Sequence, residues 1–575
     1  MTCAVKVGDR GGFWYNHHMN DIQTTLAGVI KAAFDIDLVP ELTRPDEQFG
    51  DYATNVAMQL AGRLRRNPRD MADELAAQLR MALGDRVRDV SVAGPGFINL
   101  TLSDAALSKL ALAAPTTKPD VYKDQVIVAE YSDPNPFKVL HAGHLYTSVV
   151  GFAIGNLLAA AGGEVHRVNF GGDVGLHVGK TMWSILQAFG GEYPDKLTEV
   201  PEATRAEWLA SHYVKGTAAY DDDEAAKAQI IDLNKRVYQL HADGDHDSPF
   251  AHIYWTCRQW SYDAFDVFYA RIGTPFERYY PESQTAPVGL QTVRDHLGKV
   301  YEESGGAVVF RGEPYGLHTR VFINSQGIPT YETKDVGLIM LKEQDYNFDR
   351  SVVITGNEQE QYMAVVLKSI EQFAPELVHT TTHLTHGMLK MKGGVKMSSR
   401  KGNILRATDV IDAAAAANRQ ANNSNDEQVV LGAVKYAFLR QRLGPDIIYD
   451  PAESVSLEGN SGPYLQYAHA RARSVLGKTS DQPADDIADL QQGERSLTRK
   501  ISEYPEVIHQ AVAELMPHHV STYLYELAQA FNRFYEHNRV IGDDRQATRL
   551  KLVQLYADVL KDGLGILGIA APDRM

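Results

Sequence analysis

One stretch of the chain limits its fold class more than any other, because a strand, a helix and a second strand follow each other directly. Residues 126–129 (Val-Ile-Val-Ala) form the apolar run expected of a buried parallel strand. Helical spacing follows over residues 143–161, Gly162 and Gly163 end that helix, and residues 165–170 indicate the next strand. This β-α-β unit predicts a Rossmann-like, doubly wound parallel sheet, in which ligands bind at the carboxyl ends of the strands.

The regions before and after this unit have different patterns, which predicts an α/β multidomain protein. Residues 1–18 show little periodicity and are interpreted as an extension. Residues 19–118 mix helices with strands around a Gly94-Pro-Gly96 turn and predict an N-terminal α+β domain. Long amphipathic patterns without strand signals run over residues 406–575, and they predict an all-α C-terminal bundle.

The doubly wound sheet is expected to occupy residues 119–405. A polar, acid-rich and helical stretch at about residues 186–275 indicates an insertion between the two halves of that sheet. Short β-branched runs at residues 307–310, 320–324 and 352–355 then predict the strands of the second half.

Composition narrows the class of protein without deciding its activity. The net charge of −16 argues weakly against a nucleic-acid partner, although local basic runs exist. The chain has only two cysteines and no histidine spacing typical of a metal site, so we expect no structural metal. The N-terminus lacks the features of a secretory signal, and no apolar run approaches about 20 residues. We therefore predict a cytoplasmic protein without a membrane partner.

Two short segments contain residues suited to phosphate chemistry. His141-Ala-Gly-His144 stands at the start of the predicted helix, where exposed amides favour phosphate, and Gly143 allows a ligand close to the backbone. Lys396–Asn403 (Lys-Met-Ser-Ser-Arg-Lys-Gly-Asn) combines hydroxyls and cations in one loop, which suits a triphosphate. Each segment alone also fits an ordinary helix start or a basic surface loop, so neither decides the function by itself.

Together, and in this order, the two segments resemble the His-Ile-Gly-His and Lys-Met-Ser-Lys-Ser signatures of class I aminoacyl-tRNA synthetases. The flank Glu130–His144 is similar to the pattern of the arginyl family. Further segments that resemble this family are Phe49–Tyr52, Gly172–Gly175, Tyr331–Asp335, Glu458–Tyr467 and Leu567–Met575. The resemblance implies that arginine is activated with ATP and then transferred to the 3′-terminal ribose of its tRNA.

The resemblance also implies which residues bind arginine. In the arginyl family the positions that match Glu130, Asn135, Tyr331, Asp335 and Gln359 line the amino-acid pocket. The permanently charged guanidinium of arginine requires acidic and hydroxyl acceptors, which Glu130, Tyr331 and Asp335 offer. Because Tyr331 and Asp335 are four residues apart, they share one face if this segment is helical.

Two departures from the family patterns affect the phosphate-binding set. The lysine usual at the fourth position of the second signature is Ser399 here, and Lys138 is expected to supply the missing cation. His177 stands where the family more often has glutamine, which puts the role of that turn in doubt. The predicted catalytic residues are Lys138, His141, His144 and Lys396. The predicted ATP-binding residues are these four with Gly143, Met397, Ser398, Ser399 and Arg400.

The same resemblance implies the partners. The C-terminal bundle is similar to the family's anticodon-binding domain, and the N-terminal domain to the one that grips the outer corner of the tRNA. The predicted tRNA-binding residues are Phe49, Tyr464, Gln466, Asn532 and Tyr535. ATP is expected as its Mg²⁺ complex rather than with a protein-held metal, and the family suggests a monomer.

Three alternatives stay open on the sequence alone. A class I synthetase for another amino acid is disfavoured by the acidic residues of the predicted pocket. A non-catalytic tRNA-binding paralogue is disfavoured because both phosphate-binding segments are intact. A nucleotidyltransferase acting on small metabolites would not need the long helical C-terminal domain.

Overall fold

A computed structural model describes residues 17–393 and 405–575 of the chain. Its α-helices are α1 (His17–Phe34), α2 (Val56–Leu64), α3 (Pro68–Leu83), α4 (Asp104–Ala113), α5 (Ala142–Ala160), α6 (Leu176–Phe189), α7 (Arg205–Asp222), α8 (Glu224–Asp243), α9 (Pro249–Ile272), α10 (Glu282–Asp295), α11 (Tyr331–Tyr346), α12 (Glu360–Glu371), α13 (Pro375–His379), α14 (Ala407–Asn422), α15 (Glu427–Leu439), α16 (Pro451–Ser454), α17 (Gly462–Leu476), α18 (Gln492–Ser502), α19 (Tyr504–Glu514), α20 (His518–His537) and α21 (Gln546–Ile566). Its strands are β1 (Tyr52–Thr54), β2 (Val87–Ala93), β3 (Phe97–Leu102), β4 (Val126–Glu130), β5 (Glu164–Gly171), β6 (Arg278–Pro281), β7 (Glu302–Ser304), β8 (Ala307–Phe310), β9 (Arg320–Ile323), β10 (Arg350–Gly356), β11 (Thr381–His386), β12 (Leu389–Met391) and β13 (Ile447–Tyr449).

The largest sheet has five strands in the order β11-β10-β4-β5-β6, and every neighbouring pair is parallel. The chain passes from β4 outward through β5 to β6, and then returns to the other side of β4 to form β10 and β11. Strand order therefore reverses between β4 and β10. In a doubly wound sheet the ligand crevice opens at such a reversal, beyond the carboxyl ends of the strands. The predicted Rossmann-like fold is confirmed.

The β-α-β unit predicted from residues 126–170 is present as β4, α5 and β5. Helix α5 has no charged residue over its length and lies almost wholly in the core. Among the described residues it is the one helix long and apolar enough to cross a membrane, and 72% of that stretch is buried inside the protein. Such burial is typical of a core helix.

The second half of the sheet was only partly predicted. Residues 352–355 do lie in β10, but the runs at 307–310 and 320–324 form β8 and β9 of a separate antiparallel sheet with β7. Their assignment to the parallel sheet was wrong, because β-branched composition indicates a strand without specifying its partner. The remaining strands, β6 and β11, are polar edge strands that lack an apolar run.

The stretch predicted as an insertion at about residues 186–275 is helical. Helices α7 to α9 and the end of α6 form it. They enclose an apolar cluster that includes Val178, Met182, Tyr254 and Trp260. This cluster also contains Phe137, so it reaches the segment that follows β4.

The chain divides into two compact units. One contains the described part up to Tyr122, Ala160–Gly162 and Leu457–Met575, and the other contains Lys123–Ala159 and Gly163–Ser456. The N-terminal α+β region, with its antiparallel sheet β1-β3-β2, therefore shares a unit with the helices α17 to α21. Helices α14 to α16 belong to the unit of the parallel sheet, whereas the sequence suggested a boundary after residue 405.

Candidate active site

The two histidines of the first signature lie at the start of α5 with their rings stacked, 3.7 Å between centroids. The backbone N–H of His141 donates to Nδ1 of His144 at 3.1 Å, and that of Gly143 donates to Nδ1 of His141 at 3.1 Å. Both Nδ1 atoms are therefore acceptors, which leaves the single proton of each neutral ring on Nε2. Desolvation, followed by neighbouring positive charge, lowers the pKa of both rings. Two neutral N–H donors remain available to a phosphate.

Gly143 leaves room for the imidazole ring of His141, which lies close to its backbone. A Cβ atom at this position would lie 2.8 Å from Cε1 of His141. Any larger residue would displace that imidazole. The sequence interpretation of Gly143 as a site of close backbone approach therefore has a second, intramolecular reason.

Lys138 supplies a cation beside these rings. Its ammonium lies 4.9 Å from the centroid of the Tyr213 ring, and it has no ion pair within hydrogen-bonding distance among the described residues. Desolvation lowers the pKa of Lys138, and the charge of Glu282 partly opposes this. Its own charge in turn lowers the pKa of His144. A phosphate would restore the missing counter-charge.

The second predicted phosphate-binding segment lies outside the described residues. This applies to Lys396, Met397, Ser398, Ser399 and Arg400. The described chain resumes next to the histidines, because Ala142 N–H donates to the carbonyl of Leu405 at 2.9 Å.

The predicted arginine pocket begins with a buried ion pair. Glu130, the last residue of β4, is bonded to the ammonium of Lys342 on α11. The same ammonium donates to the hydroxyl of Ser351 at 3.2 Å. Lys342 thus balances the charge of Glu130, so a guanidinium in this pocket needs carboxyl groups that have no ion-pair partner.

Asp133 and Asp335 are two such carboxyl groups in this region. Asp335 accepts a hydrogen bond from the hydroxyl of Tyr362, Asp133 accepts a backbone N–H at 2.8 Å, and neither has an ion pair among the described residues. Burial, reinforced by the charges of Glu130 and Glu282, raises the pKa of Asp335 to about 8. Burial and then the charge of Glu130 raise the pKa of Asp133 well above its usual value. Such a cluster favours a bound cation.

Two more charged residues of this region escaped the sequence analysis. Glu282, at the start of α10, forms a buried ion pair with Lys334 of α11. Glu282 lies close to Gly172, because a Cβ atom at Gly172 would be 3.1 Å from the carboxyl carbon of Glu282. The side-chain oxygen of Asn135 also contacts Gly172, whose N–H it accepts at 2.8 Å. Glu282 could have been found from its position directly after the carboxyl end of a parallel strand, but that strand, β6, was not recognised in the sequence.

The other predicted arginine-binding residues lie around this cluster. Tyr331 is the first residue of α11, half exposed, and Asp335 lies one turn later; the segment is helical, which is the condition under which the two were expected to share a face. Gln359 is exposed in the turn after β10. The loop after β4 has left-handed backbone at Ser132 and Asp133, with φ of 78° and 48°. Strained backbone of this kind is common at ligand sites.

The structure shows why His177 can stand where the family more often has glutamine. Its ring is buried and its Nε2 lies 2.7 Å from the carbonyl oxygen of Gly172. A carbonyl only accepts, so Nε2 donates, as a glutamine amide could. The turn after Gly172 is also held by Asp173, which accepts from Ser283 and Arg258. His177 therefore fits a structural role.

Family models cover most of the chain. Residues 107–449 match the catalytic domain of class I tRNA synthetases (R), and residues 20–102 match the arginyl tRNA synthetase N-terminal domain. Residues 465–575 match the DALR anticodon binding domain. The chain belongs to the arginyl-tRNA synthetase family. It is accordingly an arginine–tRNA ligase, which activates arginine and charges tRNA.

The three members of the arginyl-tRNA synthetase family named below are distant from this chain in sequence. The arginine–tRNA ligase of Porphyromonas gingivalis is 26% identical over 97% of this chain and 100% of its own length. That of Flavobacterium psychrophilum is 29% identical over 79% of this chain and 80% of its own length. The solved arginyl-tRNA synthetase of Thermus thermophilus has a TM-score of 0.77 at 23% identity, covering 97% of this chain and 100% of that one.

The residues predicted to bind tRNA in this arginyl-tRNA synthetase differ in accessibility. Phe49 is half exposed and Tyr535 lies on α20. Tyr464 and Asn532 are joined by a hydrogen bond of 2.8 Å from the amide to the hydroxyl. Gln466 is fully buried and donates to the carbonyl of Ala570 at 2.9 Å, which argues against a contact with RNA.

A cavity of 570 Å³ lies in the same unit as these residues. Its lining includes Glu47 of the N-terminal region, Arg499 and Lys500 of α18, and Arg533 and His537 of α20. Arg533 directly follows Asn532. The cavity therefore lies beside α20, the helix that also holds Asn532 and Tyr535.

Proposed function

We propose that the acidic cluster binds the guanidinium of arginine and that Lys138, His141 and His144 bind the phosphates of ATP beside it. The observation that supports this most directly is that the carboxyl groups of Asp133 and Asp335 lie together without an ion-pair partner among the described residues, so that both have raised pKa values. A guanidinium stays charged and presents its donors as a planar fork, so it can donate hydrogen bonds to both carboxyl groups at once and favour their ionised forms.

The two ends of the substrate then have different partners. Asn135 uses its amide oxygen on Gly172, so its N–H donors are available to the α-carboxylate. Gln359, at the carboxyl end of β10, is proposed to hold the α-amino group. Tyr331 closes the guanidinium end with its hydroxyl. Glu130 shapes this pocket through its pair with Lys342.

Activation needs no covalent enzyme intermediate. The arginine carboxylate attacks the α-phosphorus of ATP in line, and pyrophosphate leaves. The Nε2–H groups of His141 and His144 donate to the phosphates, and Lys138 balances the negative charge that develops on the leaving pyrophosphate. We assign Lys396 and the residues through Arg400 to the same phosphates, with Gly143 admitting the ligand. Magnesium enters with ATP; no described group of three or more His, Cys, Asp or Glu residues is arranged to hold a metal.

The second step transfers arginine from the adenylate to the terminal ribose of the tRNA. We propose that residues 19–118 and 406–575 supply the tRNA contacts, with Phe49, Tyr464, Asn532 and Tyr535 offering stacking faces or polar edges. We also propose a cytoplasmic monomer without a membrane partner.

Arginine-dependent ATP–pyrophosphate exchange tests the arginine assignment. Exchange should occur with arginine and with none of the other amino acids, measured with and without tRNA. A chain that exchanged with another amino acid, or with none under either condition, would contradict the proposed pocket.

Histidine variants test the phosphate site. His141→Ala and His144→Ala should each slow pyrophosphate exchange by about a hundredfold, as for loss of one preorganised donor. His166→Ala is the control, because His166 bonds to Glu277 at 2.9 Å on the surface and lies in neither site. Near-normal exchange in both active-site variants would exclude the proposed donors.

A further inference from the structure

One histidine of the crevice has no part in the chemistry above. His386 is the last residue of β11 and is buried. Its Nε2 lies 2.7 Å from the hydroxyl of Thr147, and its Nδ1 lies 2.8 Å from the carbonyl oxygen of Gly387. The edge of its ring packs against Tyr146, 4.5 Å between centroids. These contacts join the end of β11 to the second turn of α5.

Proton counting decides the tautomer of this ring. The Gly387 carbonyl can only accept, so Nδ1 must hold a proton. Burial lowers the pKa of His386, which favours the neutral ring and leaves Nε2 as an acceptor. The hydroxyl of Thr147 must then donate to Nε2. That hydroxyl also lies 2.9 Å from the carbonyl oxygen of Gly143, but its single proton can serve only one acceptor.

Thr147 is well placed to hold the phosphate-binding histidines. It follows His144 by three residues and Gly143 by four, on the same helix. Just before this helix, Ala407 N–H donates to the carbonyl of Leu140 at 2.9 Å. His386 and Ala407 thus hold this segment at its two ends, Thr147 and Leu140, and they come from the two chain segments that flank residues 394–404.

We propose that His386 is a positioning residue for arginine activation: in its Nδ1–H tautomer it accepts a hydrogen bond from Thr147 and so fixes the helix start that presents His141 and His144. The inference rests on the proposed phosphate-binding role of those two histidines. A donor displaced by a fraction of an ångström loses much of its effect on a transition state, although substrate still binds.

Substitutions separate this role from simple packing. Thr147→Val and His386→Asn remove the hydrogen bond between the two residues, and each should lower kcat of pyrophosphate exchange by about tenfold with little change in KM for arginine. Thr147→Ser keeps the hydroxyl, and His386→Gln places an amide oxygen near the former Nε2, so both should stay within about threefold of the wild type. The double variant Thr147→Val, His386→Asn should be no slower than the slower single variant.

His383 provides a matched control. It lies on the same strand and its Nε2 also meets a threonine hydroxyl, that of Thr355, at 2.8 Å. It has no contact with α5 among its hydrogen bonds, so His383→Asn should leave kcat within about threefold. The proposal is overturned if Thr147→Val and Thr147→Ser have equal kcat, or if His383→Asn matches His386→Asn.

A spectroscopic measurement gives a result independent of activity. The ring ¹⁵N shifts of His386 in the full-length protein, assigned by comparison with His386→Gln, should show a protonated Nδ1 and an unprotonated Nε2. The opposite tautomer would overturn the inference. If His141→Ala and His144→Ala keep normal exchange while His386 has the expected tautomer, the proposed function fails and the hydrogen-bond assignment stands.

Discussion

At the residue scale, the titration of Asp335 should report arginine binding. Burial raises its pKa to about 8 in the free protein, so at pH 7 most molecules hold a proton there. A guanidinium stabilises the carboxylate and lowers this pKa, so binding at pH 7 should release protons, and affinity should rise as pH approaches 8. Calorimetry at pH 7 in phosphate and in Tris measures the release, because the buffer that takes up the protons changes the observed enthalpy.

Asp335→Asn should remove the part of this proton release that comes from Asp335 and weaken arginine binding by about tenfold to a hundredfold, since a hydrogen bond to a charged group is lost. Asp345→Asn on the same helix is the control, because Asp345 pairs with Arg278 on the surface. Equal binding enthalpies in the two buffers would show that Asp335 is not the group that meets the guanidinium.

At the scale of elements, charged residues join α18 to the N-terminal region. Arg495 contacts Asp51 and Asp104, each at 2.6 Å, and Asp51 is buried beneath β3. Arg495→Ala leaves the carboxylate of Asp51 buried with weaker compensation, so we expect a loss of about 3 kcal/mol. Hydrogen exchange should show reduced protection in β3 and unchanged protection in β4. Lys227→Ala, which breaks an exposed pair, should leave the stability unchanged within the error of the measurement.

The contact between Arg495 and Asp51 shows that part of the Phe49–Tyr52 segment has a structural role. Asp51 accepts the N–H of Leu102 at 2.7 Å, and the hydroxyl of Tyr52 donates to Glu506 of α19 at 2.8 Å. Phe49 remains half exposed and available to a partner. If β3 kept full protection in Arg495→Ala, the ion pair would contribute nothing to this unit.

At the scale of the whole molecule, one unit is built from both ends of the chain. Truncation after Ser456 should therefore unfold the N-terminal region, because it removes Arg495 and Glu506 together with α17 to α21. The fluorescence of Trp208, Trp255 and Trp260 in the other unit should stay native-like, and tRNA charging should be lost. A truncated protein whose N-terminal region kept its hydrogen-exchange protection would contradict this.

Local patterns in the sequence were enough for β4, α5 and β5 and for the family resemblance. Each depends on residues close together in the chain, where periodicity, helix starts and motif spacing are direct signals. Only the tertiary structure placed β8 and β9 in a separate sheet, paired Glu130 with Lys342, and brought Glu282 and His386 to the crevice. Those contacts join residues far apart in sequence, and the free energy that selects them comes from burial and charge pairing that a local pattern does not contain.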